Sequence, residues 1–239
     1  GAVVSFFKHP QGLPRTPRAW TLSQPYLRAY EGITGYDRAL EDLWAATDRS
    51  VDPEDPRHRD ALIRWLRRSG CRHLRRQDGA RTSEALLGWW RRWRADLPSR
   101  DRNLVDLGGR ELAAAGGAFD DLAARVAAAR SGERGHEPVT FGPTAAAKTL
   151  FALRPRTFVP WDAPIRAGLH GDGSYRTFLA ASAEALRGFS ARVGVSVEEL
   201  PQKLGRPGSS PAKLVDEYLW ARVTRKLDPP GGDHAPPCR

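Results

Sequence analysis

The sequence TFGPTAAAKTLFALRPRTFVPWDAPIR, Thr140 to Arg166, is the stretch from which the rest of the chain is read. Gly142-Pro143 is a turn signal, and proline at a first helical position is pre-set for the helix and gives up no hydrogen bond there. A small-residue helix is expected from Thr144 to Leu153, ended by Pro155. Thr157 to Pro160 reads as a short extended segment. Trp161-Asp162 then delivers a carboxylate to the start of a second short helix, Ala163 to Leu169. Pro160 and Pro164 bracket Asp162 and stiffen the backbone on both sides of it. The amides at Thr144, Ala145 and Ala146 have no intrahelical partner, so this helix start is an expected anion site, with Gly142, Thr144 and Ala145 as its candidate phosphate-binding residues.

Working outward, the periodicity is almost entirely helical. Asp55-Pro56 opens a helix running to Ser69, with Ala61, Leu62, Trp65 and Leu66 as its apolar stripe and Gly70 as its stop. Tyr36 to Ala46 is the helix before it. Thr82 or Ser83 is expected to cap a helix to Ala95, with Leu86, Trp90 and Trp93 inward and Trp89 to one side. Asn103 to Ala115 is read as a helix ended by Gly116-Gly117, and Phe119 to Arg130 as the next, leading into a loop over 131–139. Beyond the central stretch, Gly171-Asp172-Gly173 is a turn. Ser174 caps a helix from Tyr175 to Val193, Ser196 and Glu199 stand at capping-box spacing, and Ser210-Pro211 opens a last helix with Leu214, Val215, Tyr218, Leu219 and Val223 inward. Residues 1–24 read as an irregular arm, 25–227 as one all-α domain, and 228–239 as a disordered tail.

Composition narrows the partners. The 239 residues carry a net charge of +10 and a pI of about 10.3, which points to a polyanion, most simply nucleic acid. Arg72, Arg75 and Arg76 crowd one turn and are candidates for backbone phosphates. Cys71 and Cys238 have neither CxxC nor ligand spacing, which fits a reducing cytoplasm, and His73 has no partner at metal-ligand spacing, so neither a metal nor a cofactor is expected. No apolar run nears the ~20 residues of a membrane span, and Gly1 to Phe7 is too short and too weakly flanked for a secretory signal. Walker A, GxGxxG, HExxH and GxSxG patterns are absent.

A Gly-led turn, a helix, a proline-containing extended loop and an Asp at a helix start together resemble the helix-hairpin-helix DNA glycosylase superfamily, in outline its 8-oxoguanine-glycosylase-like branch. The resemblance covers Thr140 to Leu169. It implies an all-α, compact, two-lobed, multi-helix domain, with the hairpin and catalytic loop in 119–169. The Phe119 helix and the 131–139 loop would be the first half of the hairpin motif. It also implies a cytoplasmic, monomeric enzyme of the bacterial nucleoid that excises a damaged or modified base from double-stranded DNA. Asp162 takes the catalytic aspartate position, and Gly142, Pro143 and Thr144 the hairpin-to-helix position. Two features differ from the family pattern. Pro138-Val139-Thr140-Phe141-Gly142 stands where the usual hairpin reads Leu-Pro-Gly-hydrophobic-Gly. The lysine nucleophile of bifunctional members sits near Thr144, and the nearby lysine here is Lys148, one turn further on, so lyase activity stays open.

The chemistry asks for a carboxylate near the anomeric carbon, to stabilise positive charge on the sugar or to activate water. A helix N-terminus favours an ionised Asp162. Base eversion asks for a pocket with aromatic walls, for which adjacent Trp161 is the candidate, although strand alternation sends Trp161 and Asp162 to opposite sides and leaves Trp161 a core alternative. Asp162 as an N-cap and Lys148 as a surface lysine or phosphate clamp are the plain structural readings. A non-catalytic, all-α nucleic-acid-binding protein is the alternative function, and a helical module for small molecules or proteins a third.

Overall fold

The computed structural model describes residues 35–132, 135–168 and 173–224. The expected N-terminal arm, the C-terminal tail and most of the Gly171-Asp172-Gly173 turn lie outside these residues. The described chain is mostly helical. In order it comprises α1 (Gly35–Thr47), α2 (Pro56–Arg68), α3 (Gly79–Trp93), α4 (Gly109–Ala124), β1 (Val126–Gly132), β2 (Gly135–Thr140), α5 (Gly142–Leu153), α6 (Ala163–Gly168), α7 (Tyr175–Val193), α8 (Leu200–Lys203) and α9 (Pro211–Leu219), which runs on into a π turn, Trp220–Thr224. Buried apolar residues from Ala39 to Val223 join in one core.

Local chemistry explains the helix ends. The Asp55 carboxylate accepts from the Arg57 amide at 2.8 Å, and Pro56 follows it. At the other end of α2, Gly70 takes φ +113°, and the Cys71 amide reaches back to the Leu66 carbonyl at 2.9 Å, the wrapped closure that a left-handed residue permits. Ser174 and Ser210 cap α7 and α9, accepting from the Thr177 and Lys213 amides at 3.1 Å each. Ser196 and Glu199 form the expected capping box, on a 3₁₀ turn (Val197–Glu199) that leads into α8.

The structure differs from the sequence expectation in several places. Helix α3 starts at Gly79, so Thr82 and Ser83 lie inside it and are buried. The Thr82 hydroxyl bonds the Ala127 carbonyl at 3.0 Å, and Ser83 accepts from Arg59 at 2.7 Å. Trp89, expected at the side, is completely buried and donates to the Ala118 carbonyl at 2.9 Å, because α3 packs against both α2 and α4 and must cover two neighbours. Gly116-Gly117 does not end a helix. It lies within α4, where a Cβ at Gly117 would stand 2.8 Å from the Trp93 ring, so the glycines serve close packing.

The last difference is the largest. The expected Phe119–Arg130 helix and 131–139 loop are instead the end of α4 and an antiparallel hairpin, with Ala128 opposite Val139 and Arg130 opposite Glu137. The all-α description holds for the bulk of the described chain, with this small two-stranded sheet added. Ala127 and Ala128 are buried under α3, while most of β2 is exposed. The hairpin returns the chain to α5 through a bond from the Phe141 amide to the Arg125 carbonyl, 3.0 Å, and through Gly142 at φ +76°.

Candidate functional site

Helix α5 forms as expected, with small residues packed inward and Pro143 in its first turn. The chain after it is pinned at several points. Thr157 donates its hydroxyl to the Arg102 carbonyl at 2.6 Å, Ser210 bonds the Pro155 carbonyl, and the fully buried Tyr175 donates to the Val159 carbonyl at 2.6 Å. The segment therefore reaches Asp162 in a defined path. Asp162 Oδ1 accepts from the Ile165 amide at 3.2 Å, so the side chain caps α6. Arg166, on α6, donates to the Thr144 hydroxyl at 3.2 Å and to the Trp161 carbonyl, which ties α6 to α5.

Asp162 opens onto a cavity of about 350 Å³. Its wall is assembled from distant parts of the chain. Helix α1 supplies Asp37 and Leu40, and the end of α2 supplies Trp65, Ser69 and Gly70. Helix α5 supplies Thr144, Lys148 and Phe151, and Pro160, Ala163 and Pro164 flank Asp162. Lys213 and Asp216 come from α9, and Trp220 and Thr224 from the π turn. Three of the expected residues, Asp162, Lys148 and Thr144, thus meet in one cavity, and Lys148 Nζ also donates to the Ser69 carbonyl. The volume falls in the ~300–1,000 Å³ range of small-ligand sites.

Trp161 is corrected. It is 4% exposed, does not line this cavity, and packs among Phe178, Tyr175 and Phe119 at ring-centroid distances of 5.1, 5.7 and 5.7 Å. Alternation along the extended segment sends it to the core as Asp162 turns to the cavity. The aromatic walls belong instead to Trp65, Phe151 and Trp220. The side-chain patterns of α2 and α5 marked Trp65 and Phe151 as apolar, but nothing local to them indicated a cavity.

Electrostatics at Asp162 also depart from expectation. Burial, and secondly the charge of Asp216, hold its carboxyl above the usual carboxylate range, while the Ile165 amide, Lys148 and Arg166 pull the other way. The short helix behind it does not overcome the loss of solvation. Lys213 Nζ lies 2.8 Å from Asp216 and 3.9 Å from Asp37, so α9 and α1 meet through a lysine between two acids. Cys71 is buried nearby, its thiol pushed up by loss of solvent. Among the described residues no group of three or more His, Cys, Asp or Glu is placed to hold a metal.

At the expected phosphate site, Gly142 and Thr144 are partly exposed and Pro143 is exposed, but Ala145 is fully buried. Of the expected positions, Gly142 and Thr144 are therefore open to solvent and Ala145 is not, because the core covers it. Arg72, Arg75 and Arg76 are exposed and form no ion pair among the described residues. By contrast Arg91 and Arg94 are both held by Glu54. The arginine turn follows Ser69 and Gly70 of the cavity wall and is fastened to the hairpin, with His73 Nε2 2.7 Å from the Phe141 carbonyl and Arg130 donating to the His73 carbonyl at 2.8 Å. Among the described residues no helix is long and apolar enough to cross a membrane.

Comparison with known protein families, with curated proteins and with solved structures finds no match to this chain.

Proposed function

We propose that the protein is a DNA glycosylase, similar in outline to the helix-hairpin-helix superfamily but with a β-hairpin where the first half of that motif was expected, that releases a damaged or modified base from double-stranded DNA, with Asp162 as its catalytic carboxylate. One observation carries the reading: Asp162 and Lys148 converge on a cavity with aromatic walls, beside an exposed turn of arginines with no acidic partners among the described residues. A strongly basic protein meets duplex DNA through such arginines, and an everted base needs a walled recess beside them. The β-hairpin stands in the place of the family's helical hairpin, so phosphate contact would fall to Gly142, Thr144 and Arg72, Arg75 and Arg76.

In the reaction the C1′–N bond breaks and its electron pair leaves with the base. Water bonds to C1′ and gives a proton to Asp162, which passes it to the released base. A carboxylate with raised proton affinity is suited to that transfer. Lys148, in the same cavity, is the candidate for attack on the sugar in a lyase branch, in which its amine replaces water at C1′.

The test incubates the protein with a panel of duplexes carrying oxidised, deaminated and alkylated bases and measures base release. Release by the parent protein, lost in Asp162→Asn with DNA affinity retained, supports the reading. DNA binding without release from any duplex overturns it and leaves a non-catalytic nucleic-acid-binding protein. Borohydride trapping that survives Lys148→Ala removes Lys148 from the scheme.

A further inference from the structure

The proposed reaction uses one of the three carboxylates that the described residues bring to the cavity. Asp37 enters from α1, Asp162 precedes α6, and Asp216 comes from α9. Asp216 does not move freely in that wall: Lys213, one turn before it, grips it at 2.8 Å, and both side chains are largely covered, 14% and 18% exposed. Its carboxylate is thus fixed in the wall of the recess onto which Asp162 opens.

We propose that Asp216 is a positioning residue that acts through Asp162, its charge strengthening Asp162 as the base toward the attacking water. The chemical meaning of this role rests on the glycosylase reading, whereas the coupling of the two carboxylates does not. Two acids in a poorly solvated recess oppose each other's ionisation, so the presence of one makes the other hold a proton more readily. Among the described residues the other charges facing Asp162 are Lys148 from α5, Arg166 from α6, Lys213 from α9 and Asp37 from α1. Lys148 and Arg166 favour the ionised form, and the balance with burial and Asp216 still leaves Asp162 above the ordinary range. A base is most effective when its proton affinity lies near the working pH, and an isolated exposed aspartate falls well short of that. Lys213 has a double part: it holds Asp216 in place and moderates its field.

Two readouts test this on the whole protein. The first follows the Asp162 side-chain carboxyl carbon by NMR through a pH titration without DNA. In Asp216→Asn, which keeps the shape and removes the charge, the Asp162 midpoint should fall by about half a pH unit to one unit, and Asp216→Glu should restore it. The second is the pH profile of single-turnover base release, whose acid limb should move down with the NMR midpoint. A purely structural role would lower stability or rate without moving either midpoint. An unmoved Asp162 midpoint in folded Asp216→Asn overturns the proposal. Asp216→Ser carries the same expectation and the same refutation if the Asn variant fails to fold. Should the parent protein release no base from any duplex, the glycosylase reading and the part of Asp216 in that reaction fall together, and the NMR titration still decides whether the two carboxylates are coupled.

Discussion

Replacing Tyr175 by Phe removes one oxygen atom and attacks the segment that carries Asp162. The Tyr175 hydroxyl is buried, held protonated by loss of solvent, and bonds the Val159 carbonyl at 2.6 Å; Val159 is itself fully buried. The ring contacts survive the change, with Phe119 at 4.5 Å and Phe178 at 6.0 Å between centroids, so no cavity larger than one oxygen opens. What remains is an orphaned carbonyl that water does not reach. Leaving a buried acceptor unsatisfied costs ~1–3 kcal/mol. For a chain of this length each kcal/mol lowers the midpoint by ~2–4 °C, so a fall of roughly 2–12 °C is expected in a thermal melt followed by circular dichroism. Base release should also slow, because Val159 lies three residues before Asp162 and its anchor sets the path of the chain. A midpoint within about 1 °C of the parent would refute the claim that this bond holds the segment.

Other predictions bear on separate parts of the molecule. Gly142→Ala should cost ~1–2 kcal/mol in urea unfolding, purely from the left-handed backbone at φ +76°, since a Cβ there meets nothing within 4 Å. Burial raises Glu217 from 4.5 to about 7 despite Lys213 and its ion pair with Arg206. The folded state therefore binds a proton the unfolded chain releases, and stability should fall by up to ~3 kcal/mol as pH rises from about 4.5 to about 7. In urea melts across that window, Glu217→Gln should remove this part of the slope, and an unchanged slope would exclude Glu217 as its source. Replacing Arg72, Arg75 and Arg76 together by Ala should weaken DNA binding across all sequences. The salt slope should shrink by ~0.9 for each phosphate that is no longer neutralised, with release at saturating enzyme unchanged.

Local signals placed most of the framework. Asp55-Pro56, Gly70, Ser174 and Ser210-Pro211 each mark an end that the structure uses, because a cap or a left-handed turn is decided by a few neighbouring residues. The hairpin was illegible for the opposite reason. Val126-Ala-Ala-Ala-Arg130 has strong helix formers, and it is held as a strand by pairing with β2, by burial of Ala127 and Ala128 beneath α3 and by the Thr82 bond to Ala127. Gly116-Gly117 misled in the same way: Gly117 makes room for Trp93 on another helix, and Gly116 faces Arg176 of α7. At the site, Asp162 and Lys148 were legible from one contiguous stretch. Asp37, Lys213 and Asp216 were not, since they reach the cavity from both ends of the domain and read locally as the polar margins of amphipathic helices. The raised proton affinity of Asp162 was equally invisible, being a product of burial and of the distant Asp216.

The central claim is that the carboxylate at position 162 breaks a glycosidic bond. The direct measurement is single-turnover release of free base, quantified by mass spectrometry, from the lesion duplexes with parent protein and Asp162→Asn at matched DNA occupancy. Release by the parent is expected, with a loss of ~2–4 orders of magnitude in the variant, the scale of a positioned acid–base group. Equal release by both proteins, or none by the parent, would contradict it.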